Sequence, residues 1–312
     1  MFGFDRPPEE QAKVADADCS DLTVLVTGST SGIGRVGARS LGRLGAHVIV
    51  HGRDTEAGRE AVDEIDATDG TAEFIRADFT DPDEISALAD GVRESVDRLD
   101  VLCNNAGGLF QTTEPTELGV DPAFQVNHLA PYQLTAELLD TLGPGSRVVT
   151  TSSLAHRGTT LNLDELLAVT GLSTVAAYCR SKLANVQFAA ELARRLAAAD
   201  RAVTSNSFHP GVIPGSEFGR AFPGVSTELW QLFDQSPFTE SVEEGAATMV
   251  YLAVSEDVAE TTGAYFARRR EHRPSAAARD RETQRRLWER SAQILGIEEP
   301  LAAYADAAGP SR

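Results

Sequence analysis

Short apolar runs alternate with longer stretches of helical periodicity along most of this chain, and this alternation limits the possible folds more than any other sequence feature. We predict strands at Leu22–Thr27, Ala46–His51, Glu73–Ala77, Leu99–Cys103, Arg147–Thr151 and Val203–Phe208. We predict helices at Gly32–Leu44, Thr55–Thr68, Pro82–Arg98, Pro122–Leu142 and Val175–Ala198, with a last amphipathic helix within residues 277–297. This order predicts an α/β fold, a doubly wound parallel sheet with helices on both faces and a ligand cleft at the carboxyl ends of the strands.

The remaining segments interrupt or flank this pattern. The first 20 residues are acidic and contain paired prolines, so we expect an extension ahead of a single domain that spans residues 21–300. We expect residues 301–312 to form a flexible tail. An insertion over residues 154–175 contains a short helical pattern at Leu163–Val169. A loop over about residues 209–235, with a small helix near Thr227–Phe233, is long enough to predict a functional role in substrate binding.

The charge of the chain limits its partners. A net charge of −19 disfavours contacts with nucleic acid or an anionic membrane, and the acidic excess with only two lysines indicates a salt-adapted, halophilic source. Cys19, Cys103 and Cys179 lack metal-ligand spacing, which indicates reduced thiols, no metal site and a cytoplasmic location. No run reaches the roughly 18 apolar residues of a membrane span, and the start lacks a signal-peptide pattern, so we expect a soluble protein.

The sequence TGSTSGIG, residues 27–34, follows the first predicted strand and opens the first helix. Gly28 permits a tight turn, Gly32 allows backbone amides to approach a phosphate, and Gly34 allows the helix to pack on the sheet. A glycine-rich turn alone also occurs as a plain strand-to-helix connection. Its position after the first strand favours a dinucleotide site.

Lys182 stands four residues after Tyr178 in a predicted helix, so both side chains lie on one face. A tyrosine with a pKa of about 10 becomes an effective acid–base group near neutral pH when a cation favours its phenolate. The compact ammonium of lysine also suits hydroxyl groups that a guanidinium would fit poorly. The alternative is a surface lysine and a core tyrosine at accidental spacing.

The order of these motifs resembles that of the short-chain dehydrogenase/reductase family, whose members have a Rossmann fold. The motifs that carry the resemblance are TGSTSGIG at 27–34, ADFTD at 77–81, NNAG at 104–107, TTSS at 150–153, YCRSK at 178–182 and HPG at 209–211. Within the family, the chain is most similar to the retinol dehydrogenase and WW-domain oxidoreductase branch over roughly residues 20–297. That branch commonly carries a membrane anchor, which we do not find, so retinoid oxidation is not transferred.

The resemblance implies a reaction and a set of site residues. It implies hydride transfer between a nicotinamide cofactor and a carbonyl or alcohol, with Tyr178 as acid–base group, Ser153 bonding the substrate oxygen, Lys182 on the ribose and Asn127 in a proton relay. The cofactor-binding residues implied are Thr27, Gly28, Ser29, Ser31, Gly32, Ile33, Gly34, Arg53, Asp78, Phe79, Asn105, Ala106, Gly107, Tyr178, Lys182, Pro210, Gly211 and Val212. It also implies a homodimer or homotetramer paired through the helices Pro122–Leu142 and Val175–Ala198.

Cofactor preference depends on the end of the second strand. NAD-preferring enzymes place an acidic side chain there to bond the ribose 2′-hydroxyl. In this chain the position is Gly52 and Arg53 follows, so a 2′-phosphate would meet an arginine and NADP(H) is favoured. Asp54 leaves NAD(H) possible.

Some features remain open. Ser216 stands where the family has a threonine that bonds the nicotinamide, and Phe218 and Phe222 belong either to a substrate lid or to the core. We interpret His156 and His209 as hydrogen-bonded scaffold residues. A non-catalytic NADP(H) sensor is the main alternative function, although such proteins typically lose the tyrosine or lysine. A nucleotide-sugar epimerase is less favoured, because a GxxGxxG turn and a large C-terminal domain are not evident.

Overall fold

A parallel sheet runs through the centre of the molecule. The computed structural model describes residues 6–167, 169, 171–211 and 240–304. In this part of the chain the strands are β1 (Thr23–Val26), β2 (His47–Gly52), β3 (Thr71–Arg76), β4 (Leu99–Asn104), β5 (Leu142–Thr151), β6 (Thr204–His209), β7 (Tyr265–Ala267) and β8 (Arg270–Glu271). Their order is β3-β2-β1-β4-β5-β6-β7-β8, and only β8 is antiparallel to its neighbour. The predicted doubly wound α/β fold is confirmed.

Helices cover both faces of the sheet. They are α1 (Pro8–Ala12), α2 (Gly32–Arg43), α3 (Thr55–Asp66), α4 (Pro82–Ser95), α5 (Pro122–Phe124), α6 (Ala130–Glu137), α7 (Thr174–Ala198), α8 (Val242–Val254) and α9 (Arg281–Leu295). One face packs α1, α2, α3 and α8 against Val24 and Val26, and the other packs α4, α6, α7 and α9 around Leu25. Because successive strand residues point to opposite faces, each strand feeds both cores.

The predicted helix Pro122–Leu142 is not continuous. After the short α5, residues Gln125–Leu129 form a π-helical turn, α6 ends at Glu137, and β5 begins at Leu142. Pro131 explains the break, since it has no N–H to donate to the carbonyl of the residue four positions earlier. That residue is Asn127, and the amide of Ala130 bonds Gln125 five residues back.

The C-terminal part contains elements that the sequence pattern did not predict. Helix α8 is buried along most of its surface, so it has no wide polar face to reveal its periodicity. The β7–β8 hairpin is too short to stand out. Among the described residues of the predicted helical pattern at Leu163–Val169, the structure has a 3-10 turn at Leu163–Glu165. The predicted helix near Thr227–Phe233 lies outside the described residues.

Residues ahead of β1 belong to the packed structure. Ala12, Val14 and Cys19 are buried in the same core as α2 and α8. Glu9, at the start of α1, bonds both Ser40 and Arg43 of α2. From Pro8 onward, the segment expected as an extension therefore contributes to the core.

Helix α9 lies on α6 and α7. The Trp288 ring stacks on Phe188 of α7 at 5.7 Å between centroids, and its edge meets Tyr132 of α6 at 4.8 Å. The guanidinium of Arg195 lies 5.0 Å from the Trp288 ring. The chain thus covers with its own helix the face through which subunit pairing was expected.

Across the described ranges, no helix combines the length and apolar character needed to cross a membrane.

Candidate active site

The turn between β1 and α2 is closely packed on one side and open on the other. Gly28 has a φ of +65°, and a Cβ there would lie 2.7 Å from the Cα of Ala106. A Cβ on Gly34 would lie 2.2 Å from the carbonyl oxygen of Gly28. Gly32, with a φ of +55°, has no atom within 4 Å of its Cβ position, and Ser31 makes no capping bond at the α2 N-terminus. This side of the turn therefore has room and backbone amides for an anionic group.

Buried side chains hold the turn in place. Thr27 Oγ1 accepts from the amides of Asn105 and Ala106, both at 2.9 Å, and Asn105 Nδ2 donates to the carbonyl of Thr27 at 2.9 Å. Ser29 Oγ donates to the carbonyl of Val26 at 2.6 Å. Among the predicted cofactor residues, Thr27 and Ser29 are fully buried and shape the turn, whereas Ser31 is exposed and Ile33 is half-buried at the rim.

His51 is a residue that sequence reasoning missed. Its Nδ1 accepts from the amide of Gly28 at 3.2 Å, and its Nε2 lies 3.2 Å from the carbonyl of Ala77. The ring stacks on Phe79 at 4.4 Å, and burial lowers the pKa of His51 to about 4. One neutral imidazole therefore ties the glycine turn to the ADFTD motif at residues 77–81. A polar residue at the end of the buried run HVIVH was the available signal.

The end of β2 bears on cofactor preference. A Cβ on Gly52 would lie 2.5 Å from Cγ2 of Thr30, so a larger side chain at this position requires Thr30 to move. Asp54 caps α3 by accepting from the amides of Glu56 and Ala57. Arg53 is 67% exposed and lies 3.7 Å from the Asp78 carboxylate. The end of β2 therefore carries an exposed guanidinium, while the Asp54 carboxylate is bonded to the first turn of α3.

Helix α7 presents Tyr178 and Lys182 to the carboxyl end of β5. The Lys182 ammonium lies 5.7 Å from the centre of the Tyr178 ring and donates to the carbonyl of Thr151 at 3.3 Å. Lys182 is 4% exposed, and burial lowers its pKa to about 8. An ammonium has three donors. The described contacts thus leave donors that suit ribose hydroxyls.

Tyr178 lies beside the second serine of the pair. Burial raises the pKa of Tyr178 above its usual value, and a hydrogen bond with the side chain of Ser153 lowers it in part. Ser152 instead donates to the carbonyl of Lys182 at 2.7 Å and is 2% exposed. The structure therefore brings together Ser153 and Tyr178 and gives Ser152 a backbone contact.

Asn127 lies in the π-helical turn, directly beneath Gly107. Its amide group exchanges two bonds with the backbone of Gly108, both at 2.9 Å, and donates to Ser181 Oγ at 2.9 Å. A Cβ on Gly107 would lie 2.5 Å from Asn127 Oδ1 and 3.4 Å from Lys182 Nζ. Gly107 thus allows Asn127 and Lys182 to converge.

The last predicted group lies at the carboxyl end of β6. The amide of Gly211 donates to His209 Nδ1 at 3.0 Å, and a Cβ on Gly211 would clash with buried Glu240. Pro210 precedes it at the same edge of the sheet. Val212, Ser216, Phe218 and Phe222 lie outside the described residues.

Comparisons with known proteins show which proteins this chain resembles. A family model described as short chain dehydrogenase matches residues 22–222. Retinol dehydrogenase 13 of Homo sapiens is 37% identical over 287 residues, covering 89% of this chain and 86% of that protein. A crystal structure of a Mycobacterium paratuberculosis protein is 32% identical with a TM-score of 0.74, covering 92% of this chain and 98% of the other. An angucycline C-6 ketoreductase with bound NADP is 28% identical with a TM-score of 0.66, covering 81% of this chain and 95% of the other.

Proposed function

The chain belongs to the short-chain dehydrogenase family, and from this premise we propose the roles that its site residues play and the cofactor it prefers. It is a nicotinamide-dependent oxidoreductase that interconverts a carbonyl and an alcohol. The observation that carries the proposal is the meeting of Tyr178, Ser153, Lys182 and Asn127 beside the open glycine turn.

The bound nicotinamide supplies or accepts the hydride. Tyr178 holds the proton that a substrate oxygen receives, and its raised pKa keeps the hydroxyl protonated at neutral pH, which suits carbonyl reduction. Ser153 bonds the same oxygen and stabilises the charge that develops on it. Lys182 orients the ribose and favours the phenolate in the reverse direction. Asn127 takes part in the proton relay. We further propose that residues about 209–235 border the substrate.

We propose that NADP(H) is preferred over NAD(H). The support comes from the exposed Arg53, the lack of an acidic side chain at Gly52, where Thr30 packs closely, and the use of Asp54 as a helix cap. The NADP bound to the similar angucycline ketoreductase also supports this preference.

Initial rates of NADPH and NADH oxidation against a panel of aldehydes and ketones test the proposal. We expect turnover with NADPH preferred. Composition further supports a salt-adapted cytoplasmic enzyme, so we expect activity to persist in molar potassium chloride. Tight NADPH binding without turnover on the whole panel would favour the sensor alternative.

The Arg53→Ala variant tests the cofactor preference. A charge-assisted contact is worth about 1.5 to 3 kcal/mol, so NADPH affinity should fall about tenfold or more while NADH affinity stays unchanged. The matched control is Arg59→Ala, which removes an exposed arginine that lies within α3. Equal losses for both cofactors would contradict the role of Arg53.

A further inference from the structure

His156 joins the turn after Ser153 to the C-terminal segment. It is fully buried in the 3-10 turn Leu154–Gly158, which Ser153 caps. Its Nδ1 lies 2.7 Å from the carbonyl oxygen of Ser153, and its Nε2 lies 3.2 Å from the backbone nitrogen of Ser275. These two contacts come from parts of the chain that are more than 100 residues apart.

The chemistry of the two partners fixes the tautomer of the ring. A carbonyl oxygen only accepts, so Nδ1 must carry the proton, and a backbone N–H only donates, so Nε2 must accept. Burial lowers the pKa of His156, which keeps the ring neutral near pH 7. A protonated ring would lose the bond from Ser275.

Neighbouring contacts hold the ring in the same place. The edge of the His156 ring meets Tyr265 of β7 at 4.9 Å between centroids. The next residue, Arg157, donates to the carbonyl of Arg273 at 2.6 Å. Two consecutive residues of the turn are therefore bonded to residues 273–275, directly after the β7–β8 hairpin.

We propose that His156 is a positioning residue for the reaction, which holds the backbone of Ser153 so that its hydroxyl faces Tyr178. This inference rests on the proposed function, because it gives Ser153 its role through Tyr178. The C-terminal segment then acts on the reacting groups through the imidazole, without touching them. Ser153 Oγ has to lie within a narrow range of distances from the substrate oxygen. A loosened turn therefore lowers the catalytic rate more than it weakens the binding of the cofactor.

Three variants test the role by steady-state kinetics and NADPH binding. His156→Leu removes both hydrogen bonds, and we expect kcat to fall by about tenfold or more with an unchanged Kd for NADPH. His156→Asn keeps a donor near Nδ1 and should recover part of the loss. His47→Leu removes a partly exposed imidazole from β2, in the other half of the sheet, and should leave kcat unchanged.

An unchanged kcat in His156→Leu would overturn the proposal, as would a parallel loss of kcat and NADPH binding, which indicates general unfolding. A second measurement does not depend on activity. The ¹⁵N spectrum of the His156 ring should show the Nδ1–H tautomer, and an Nε2–H tautomer would overturn the inference. A wild-type protein that binds NADPH without turnover would instead count against the proposed function. The tautomer of His156 would still show whether its ring joins Ser153 to Ser275.

Discussion

At the residue scale, the choice of lysine at position 182 follows from its surroundings. Lys182 is enclosed by the ends of β4 and β5, with Gly107 and Thr151 close to its ammonium. A guanidinium is larger and keeps its proton at all relevant pH values. Burial lowers the pKa of Lys182 to about 8, so this cation titrates where an arginine would not.

This titration predicts a pH dependence of cofactor binding. Lys182 is charged below about pH 8 and loses its proton as the pH rises through that value, so NADPH affinity should decline above it and be level below it. The dissociation constant of NADPH, measured from neutral to alkaline pH, checks this. Lys182→Met should bind more weakly at every pH and lack the alkaline decline. A wild-type decline that persists in this variant would contradict the assignment.

At the element scale, the sequence predicted the elements whose periodicity is regular. Several elements begin and end within one or two residues of their predicted bounds, namely β1, β2, β4, β6 and the long helix α7. The strands bury one clear face or a short apolar run, and α7 shows a helical period, so the sequence marks both clearly. The glycine turn and the Tyr178–Lys182 pair follow from local spacing alone. Both sit where the predicted fold requires.

Other elements depend on contacts that a pattern does not reveal. The π-helical turn at Asn127 arises from Pro131. Because proline is also common at ordinary helix starts, its presence in the sequence does not predict a π-helical turn. The link from His51 to Gly28 and Ala77 joins three strand ends, and no spacing along the chain predicts it. The same holds for His156, which the sequence marked only as a scaffold residue.

A buried ion pair connects α5 to α7. Arg180 bonds the Asp121 carboxylate at 2.8 Å, and Asp121 is fully buried and caps α5. The variant Arg180→Leu leaves that carboxylate buried without its partner. Its free energy of unfolding, measured by urea titration, should be about 3 to 5 kcal/mol lower than that of the wild type. The exposed pair of Arg286 and Asp164 offers a control, since Arg286→Leu should cost about 1 kcal/mol or less. Equal costs for both variants would contradict this role.

At the scale of the whole molecule, α9 occupies the face of α6 and α7 that the family resemblance assigns to subunit pairing. Trp288 buries its ring between Tyr132 and Phe188, and β8 covers the edge of β7. We therefore expect the intact chain to have the mass of a single chain in light scattering. A stable dimer that forms through α6 and α7 would require α9 to leave this face and would contradict the packing.

We propose above that Tyr178 is the acid–base group of a nicotinamide-dependent reaction. The most direct measurement compares turnover and NADPH binding of Tyr178→Phe with those of Tyr132→Phe, which removes a buried hydroxyl from the core beside Phe188 and Trp288. We predict that Tyr178→Phe loses turnover by about a thousandfold with an unchanged Kd for NADPH, and that Tyr132→Phe keeps both. Unchanged turnover in Tyr178→Phe would show that another group supplies the proton.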